Sequence, residues 1–197
     1  RAIGLRGAWR FEVMTAPENA LAPGAGLFGL LARAGPGDEV LVAELDEPPW
    51  WGRGSPAGQY PNPRVAAYLS AARRGATVRV LLDSFFDDPA GAGANRRTVA
   101  ALNHAAAAEG LDLAARLGNP SGLGLHAKVV LVRLGGVAGE AWTHIGSLNG
   151  TEAASKGNRE VALQVSSPGT HAFLAGVFAR DWEEAGFDTA DLPWLAR

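Results

Sequence analysis

Short β-branched and apolar runs alternate with Ala-rich stretches along the chain, the pattern of an α/β layer architecture. The runs span Ala8 to Met14, Glu39 to Leu45, Thr77 to Asp83, Leu111 to Leu117, Leu125 to Val132, Ala141 to Asn149 and Arg159 to Ser166. They predict one central sheet of about seven strands flanked by helices. Asn62-Pro63 opens a segment with Val65, Ala66, Leu69 and Ala72 on one face, and Gly75 closes it. An N-cap Asn, a first-turn Pro and a C-terminal Gly predict a helix there. Asn95 to Glu109 repeats the pattern with Val99, Leu102 and Ala106, and Leu27 to Ala34 is a shorter candidate. Thr170 is read as the cap of a last helix, with Phe173, Leu174, Val177, Phe178 and Trp182 at helical spacing and Gly186 as its stop. That periodicity makes these aromatics core residues.

Gly and Pro mark Glu47 to Pro61, Asp87 to Ala94, Gly118 to Gly124 and Leu134 to Glu140 as loops. A strand-helix-strand first part runs into consecutive strands, which predicts a mixed sheet rather than a parallel one. With 197 residues and 47% hydrophobic positions, one domain over 1–197 is expected. Residue 1 is Arg and the one Met is Met14, so the chain is read as a piece of a longer polypeptide whose compartment is hidden. No apolar run is long enough to span a bilayer, and the chain reads as soluble.

Zero cysteines exclude disulfides and thiolate ligation of zinc. A net charge of -2 argues against a surface that is basic all over, while leaving room for a basic groove. All but two of the 18 basic residues are arginine, the exceptions being Lys128 and Lys156. In such a chain a lysine stands out. On a strand, His126 and Lys128 would share a face with α-carbons about 6.5 Å apart, a spacing that straddles a phosphate. A buried ammonium needs a negative partner, and a phosphoryl group would serve; the alternative is that both residues sit at a solvated strand start.

The next run places Ser147 and Asn149 two apart, both able to donate to anionic oxygens. Gly146 would let the backbone approach closely, and a hairpin through Gly135, Gly136 and Gly139 would bring this strand beside the first. Glu160, before the third run, is a carboxylate that could accept a bond from one His126 nitrogen and so leave the other free to attack. Its alternative is a surface ion pair with Arg159 or Lys156.

These residues resemble the phospholipase D superfamily, whose signature is His-x-Lys, four residues, Asp, then Gly-Ser-x-Asn and a Glu before another strand. The chain reads HAKVVLVR, IGSLN and NREVALQV. SLNGTEAASKGNREVALQV is similar to Nuc-type endonucleases, while ATVRVLLDSFFDD and FARDWEE resemble second halves of larger two-motif members. The resemblance runs from about Glu39 to Glu184. It implies a phospholipase D-like fold and a phosphodiesterase in which His126 attacks phosphorus. Lys128, Ser147 and Asn149 would hold the phosphate, with no metal and no cofactor. A second His-x-Lys half would come from the parent chain or from a homodimer partner. His104, His144 and His171 do not look like that second histidine.

One position departs from the signature: Arg133 replaces its Asp. An odd separation turns position 133 to the face opposite His126, roughly 23 Å along the strand. The replacement therefore reads as a change in a structural ion pair or hairpin end, with a degenerate half-site as the alternative. For substrate, a phospholipid is expected ahead of nucleic acid, with Trp50 and Trp51 offering a peripheral membrane contact; the opposing reading packs these tryptophans in the domain. A nuclease would use Arg53, Arg64, Arg96 and Arg97 as a phosphate track. The third reading is a non-catalytic half that supports another.

Overall fold

The computed structural model describes residues 7–52, 58–88, 95–135 and 139–185. The strands are β1 (Arg10–Ala16), β2 (Glu39–Glu44), β3 (Trp50–Trp51), β4 (Tyr60–Pro61), β5 (Thr77–Asp83), β6 (Leu113–Gly118), β7 (Lys128–Leu134), β8 (Glu140–Gly146) and β9 (Glu160–Ser166). The helices are α1 (Gly26–Arg33), α2 (Pro63–Arg73), α3 (Asn95–Glu109), α4 (Glu152–Lys156) and α5 (Pro168–Glu184).

Seven strands form one sheet in the order β1-β9-β8-β7-β2-β5-β6. The β2-β5-β6 part is parallel, with helical crossovers. The β1-β9-β8-β7 part is antiparallel and joins β2 antiparallel, so the expected mixed sheet and the β7–β8 hairpin are present. Alternation sorts the side chains of each strand. Val40, Val42, Val78, Val80, Val130 and Val132 face α1, α2 and α3 in the larger core. Leu41, Ala43, Leu81 and Leu131 face α5, where Phe178 is buried with Leu174 and Trp182 packed against it. The aromatic stripe of α5 thus serves the core, although Phe173 stays exposed.

Local chemistry sets the element ends. The Asn62 side chain accepts from Arg64 N at 2.9 Å and Pro63 fills the first turn of α2. Past the α2 C-cap, Gly75 takes φ +98°, a conformation glycine adopts without a Cβ clash. At α5 the cap is Ser167, not Thr170: Ser167 Oγ accepts from Thr170 N at 3.2 Å, and Pro168 is the first helical residue. A Ser-Pro pair three residues before Thr170 carried that signal.

Other boundaries moved. β6 begins at Leu113 because Leu111 N closes α3 on Ala106 O. The Glu47 to Pro61 loop holds the small β3–β4 ladder, and α4, capped by Thr151, was not anticipated. Gly136, Arg53, Gly186 and residues 89–94 of the Asp87 to Ala94 loop lie outside the described residues. No helix among the described residues is long and apolar enough to cross a membrane.

Candidate active site

The carboxyl ends of β2 and β5 and the start of β7 meet at one end of the sheet, the crevice where open α/β sheets bind ligands. Leu125 N donates to Asp83 Oδ1 at 2.5 Å, and Phe86 N donates to Asp83 Oδ2 at 2.6 Å. Asp83, at the end of β5, therefore fixes the loop that leads into His126. Leu45 N donates to Ala127 O at 2.9 Å, which extends the β2–β7 pairing by one step.

The strand itself starts at Lys128, three residues later than the sequence suggested, so His126 lies on the extended segment just before it. The two side chains still converge. Lys128 Nζ lies 3.2 Å from His126 Nδ1 and donates to the His126 carbonyl at 3.1 Å. Lys128 is buried while His126 is exposed. A fully solvated strand start therefore describes His126 alone. Burial holds the Lys128 ammonium below its ordinary value, opposed by attraction from Glu44, Glu160 and Asp46.

The strand that was to carry Ser147 and Asn149 ends at Gly146, so both sit in the turn beyond it. Gly146 permits the approach expected of it, since a Cβ there would meet Val161 O at 2.2 Å. Ser147 is exposed, and its hydroxyl accepts from Val161 N at 3.1 Å and donates to Val161 O at 3.3 Å. This places it next to Glu160 on β9. Asn149 is partly buried, and among the described residues its Oδ1 has no hydrogen-bond partner. The following residue anchors the turn: Gly150 N donates to Asp46 O at 2.8 Å, and Gly150 O accepts from Trp51 Nε1 and Asn62 Nδ2, each at 2.9 Å.

Glu160 differs from both expectations. Its carboxylate accepts from Asn158 Nδ2 at 3.2 Å, not from His126. Arg159 pairs with Glu18, and Lys156 pairs with Glu152 at 2.8 Å, so neither takes Glu160. Glu160 instead faces Lys128 as an attracting charge. Of the five site residues, His126 and Lys128 are in direct contact. Glu160 joins them through its field, while Ser147 and Asn149 are held in the adjacent turn.

Behind Lys128 lies a buried polar network that the sequence reading missed. Arg64 forms ion pairs with Glu44 and with Glu47, the latter at 3.1 Å, and all three are fully or almost fully buried. Tyr68 Oη donates to Glu47 at 3.1 Å, and Asn62 Nδ2 donates to Glu47 at 2.8 Å. Burial, reinforced by Glu47 and opposed by Arg64, pushes the Glu44 carboxyl up to about 8. Burial raises Glu47 as well, again opposed by Arg64; one guanidinium faces two buried carboxylates, so the pair retains a proton. The carboxylates that close β2, in AELDE, were the sequence signal. Arg64 is therefore removed from any phosphate track. Arg96 is held by Asp87 at 2.6 Å, and Arg97 alone of the three described arginines is exposed.

The remaining candidates separate. Trp51 is buried and only Trp50 is exposed, so the packing reading holds for Trp51 and an interfacial role is left to Trp50. His144 is buried on β8 and is held down to about 3 by burial and by Arg64. His171 is buried on α5, and His104 is exposed on α3. Arg133 forms an ion pair at 3.5 Å with Glu39, its cross-strand partner, on the α5 face and away from His126.

A family model described as "Cardiolipin synthase, PLD-like domain" matches residues 59–182, more than half of the chain. The chain belongs to the phospholipase D-like family. Members of that superfamily are phosphodiesterases and phospholipid-modifying enzymes. Three solved structures show the phospholipase D-like fold. Nuc of Salmonella typhimurium, a phospholipase D family member, is 19% identical with a TM-score of 0.59, over 90% of this chain and 96% of that one. NucT of Helicobacter pylori is 15% identical with a TM-score of 0.60, over 91% and 100%. Phosphatidylserine synthase of Haemophilus influenzae Rd KW20 is 16% identical with a TM-score of 0.52, over 90% of this chain but 39% of that one. No curated protein sequence matches.

Proposed function

We propose that this phospholipase D-like chain cleaves or transfers a phosphodiester, with a phospholipid as the preferred substrate, through a phosphohistidine on His126. The observation that carries the reading is the exposed imidazole held 3.2 Å from the buried ammonium of Lys128. A ring nitrogen of His126 forms a bond to phosphorus as the bond to the leaving oxygen breaks. A general acid gives that oxygen its proton, and water or an alcohol then breaks the nitrogen–phosphorus bond. Lys128 offsets the charge that builds on the phosphoryl oxygens, with Ser147 and Asn149 as further donors, in place of a metal. Glu160 keeps the ammonium charged against the cost of its burial.

The general acid in this proposal is the histidine of a second His-x-Lys half, supplied by the parent chain or a homodimer partner. Among the described residues, His104, His144 and His171 lie on α3, β8 and α5 rather than on the 126–128 segment, and His144, opposite Val130, is buried. Among the described residues an apolar patch on the α5 face of the sheet, opposite the Lys128 side chain, is free to take a second copy or half. Phe11, Val13, Val161, Leu163 and Ile145 are exposed on neighbouring strands in register, next to the Ser147 turn. Light scattering that shows a monomer, with activity unchanged on dilution, would remove the homodimer option.

The lipid preference rests on exposed Trp50, beside an open groove lined by Asp46, Trp51 and Glu152. A nuclease is the second reading, weakened by the burial of Arg64 and the pairing of Arg96. The test is hydrolysis of a chromogenic phosphodiester in excess chelator by wild type and His126→Ala. Retained activity in the mutant rejects the nucleophile, and no activity in any assembly state favours a supporting half. Phosphatidylcholine vesicles compared with single-stranded DNA at several salt concentrations separate the substrates, because phosphate tracking weakens steeply with salt.

A further inference from the structure

Glu44 closes β2, and its cross-strand partner on β7 is Lys128. The bond from Leu45 N to Ala127 O makes residues 45 and 127 the hydrogen-bonded pair. Glu44 and Lys128 are then the alternate, non-hydrogen-bonded pair, whose side chains lie closer together on one face. Glu44 is fully buried, with one carboxylate oxygen on Arg64 and the other, Oε2, buried without a partner among the described residues. An unpartnered carboxylate oxygen beside the one buried ammonium of the site is costly to keep ionised and is relieved by a proton or by Lys128.

The surrounding charges are defined on every side. From α2 come Arg64 and Tyr68, and from the loop after β2 come Glu47 and Asp46. From β7 comes Lys128, from β9 Glu160 faces Lys128, and from β8 His144 stays neutral near Arg64. Asp83 on β5 is occupied by the amides of Leu125 and Phe86. With Glu44 protonated, Lys128 is attracted by Glu160 and Asp46 alone. With Glu44 ionised, a third and directly cross-strand carboxylate attracts the ammonium.

We propose that Glu44 is a positioning residue for Lys128: protonated, it leaves the ammonium to His126 and an incoming phosphate, and ionised, it draws the ammonium back into the sheet. The inference rests on the anion-holding role given to Lys128. It adds that anion affinity is set by a carboxyl that never touches substrate. Its ionisation falls at about 8, so affinity falls as pH rises through that value.

Only two lysines are present, which makes a direct readout possible. In protein labelled with 13C at lysine Cε, two resonances are expected, and Lys156→Arg assigns them. The Lys128 resonance should show a step near pH 8 from Glu44, besides its own titration at higher pH. In Glu44→Gln the step should vanish and the Lys128 midpoint should move down, because an attracting charge is lost. If Glu44→Gln does not fold, Glu44→Asp should move the step.

A single-step Lys128 titration in wild type, or a step unchanged in the folded variants, overturns the proposal. Tungstate, whose charge does not change in this range, should bind wild type up to about tenfold more weakly at pH 9 than at pH 7, and Glu44→Gln should lose much less. Equal losses in both proteins also overturn it. If tungstate fails to bind wild type at any pH while the lysine step is present, the anion-site reading of Lys128 fails and the Glu44–Lys128 coupling stands.

Discussion

Gly150→Ala adds one methyl at the junction between the site turn and the buried network. A Cβ on residue 150 would lie 1.9 Å from Glu47 Oε1 and 2.1 Å from its Cδ. Glu47 cannot swing away, because Asn62, Tyr68 and Arg64 all hold it. The turn must move instead, by about 1.5 Å to reach ordinary contact. That movement breaks or bends the bonds from Trp51 and Asn62 to Gly150 O and from Gly150 N to Asp46 O. Overpacking costs about 1–3 kcal/mol, and each buried donor left unmatched costs about 1–3 kcal/mol. The combined loss is expected at about 3–5 kcal/mol.

For a chain of this size that loss lowers Tm by about 10 °C. Circular dichroism melts, with urea unfolding to give the free energy, are the assay. Gly176→Ala is the control, since a Cβ there meets nothing within 4 Å in the middle of α5. It should leave Tm unchanged or raise it, because Ala is favoured over Gly in a helix interior by about 1 kcal/mol. A Gly150→Ala protein that melts within about 2 °C of wild type would refute the packing argument. So would a Gly176→Ala protein as damaged as Gly150→Ala.

Two further outcomes follow from the same structure. The unfolded chain ionises Glu44 at its ordinary 4.5 while the folded chain keeps that proton to about 8, so the folded state binds more protons between them. The Glu44 contribution to stability is then complete below 4.5 and declines as pH rises to about 8; urea unfolding across this range should show a decline that Glu44→Gln lacks, and parallel curves would contradict it. Arg133→Asp restores the signature residue but sets a second carboxylate opposite Glu39, so it should cost about 1 kcal/mol and leave phosphodiester turnover within about twofold. A large gain in turnover would show instead that Arg133 marks a degraded half-site.

Much of the fold was legible because its signals are local. Uninterrupted apolar runs across Val40 to Ala43 and Val129 to Val132 marked buried strands, and Asn62-Pro63 with Gly75 marked α2. The glycines after β7 announced the hairpin. The losses came where tertiary pairing decides. His126 lies before the strand because the pairing with β2 runs out at Ala127, whose carbonyl takes Leu45 N, and Ser147 leaves β8 because its hydroxyl, not its carbonyl, takes Val161 N of β9. Arg64 looked like a surface charge on a helix, and only the packing of α2 over β2 shows it buried between Glu44 and Glu47. The chemistry of His126 and Lys128 was readable from spacing, whereas the carboxylate behind them needed the β2–β7 register.

The proposed mechanism is tested most directly by trapping its intermediate. Wild-type protein mixed with a phosphodiester, quenched into base within one turnover and digested, should yield one peptide carrying the phosphoryl adduct on His126. His126→Ala should yield none. Turnover in wild type with the adduct absent, or found on His104, His144 or His171, would contradict the assignment of His126 as nucleophile.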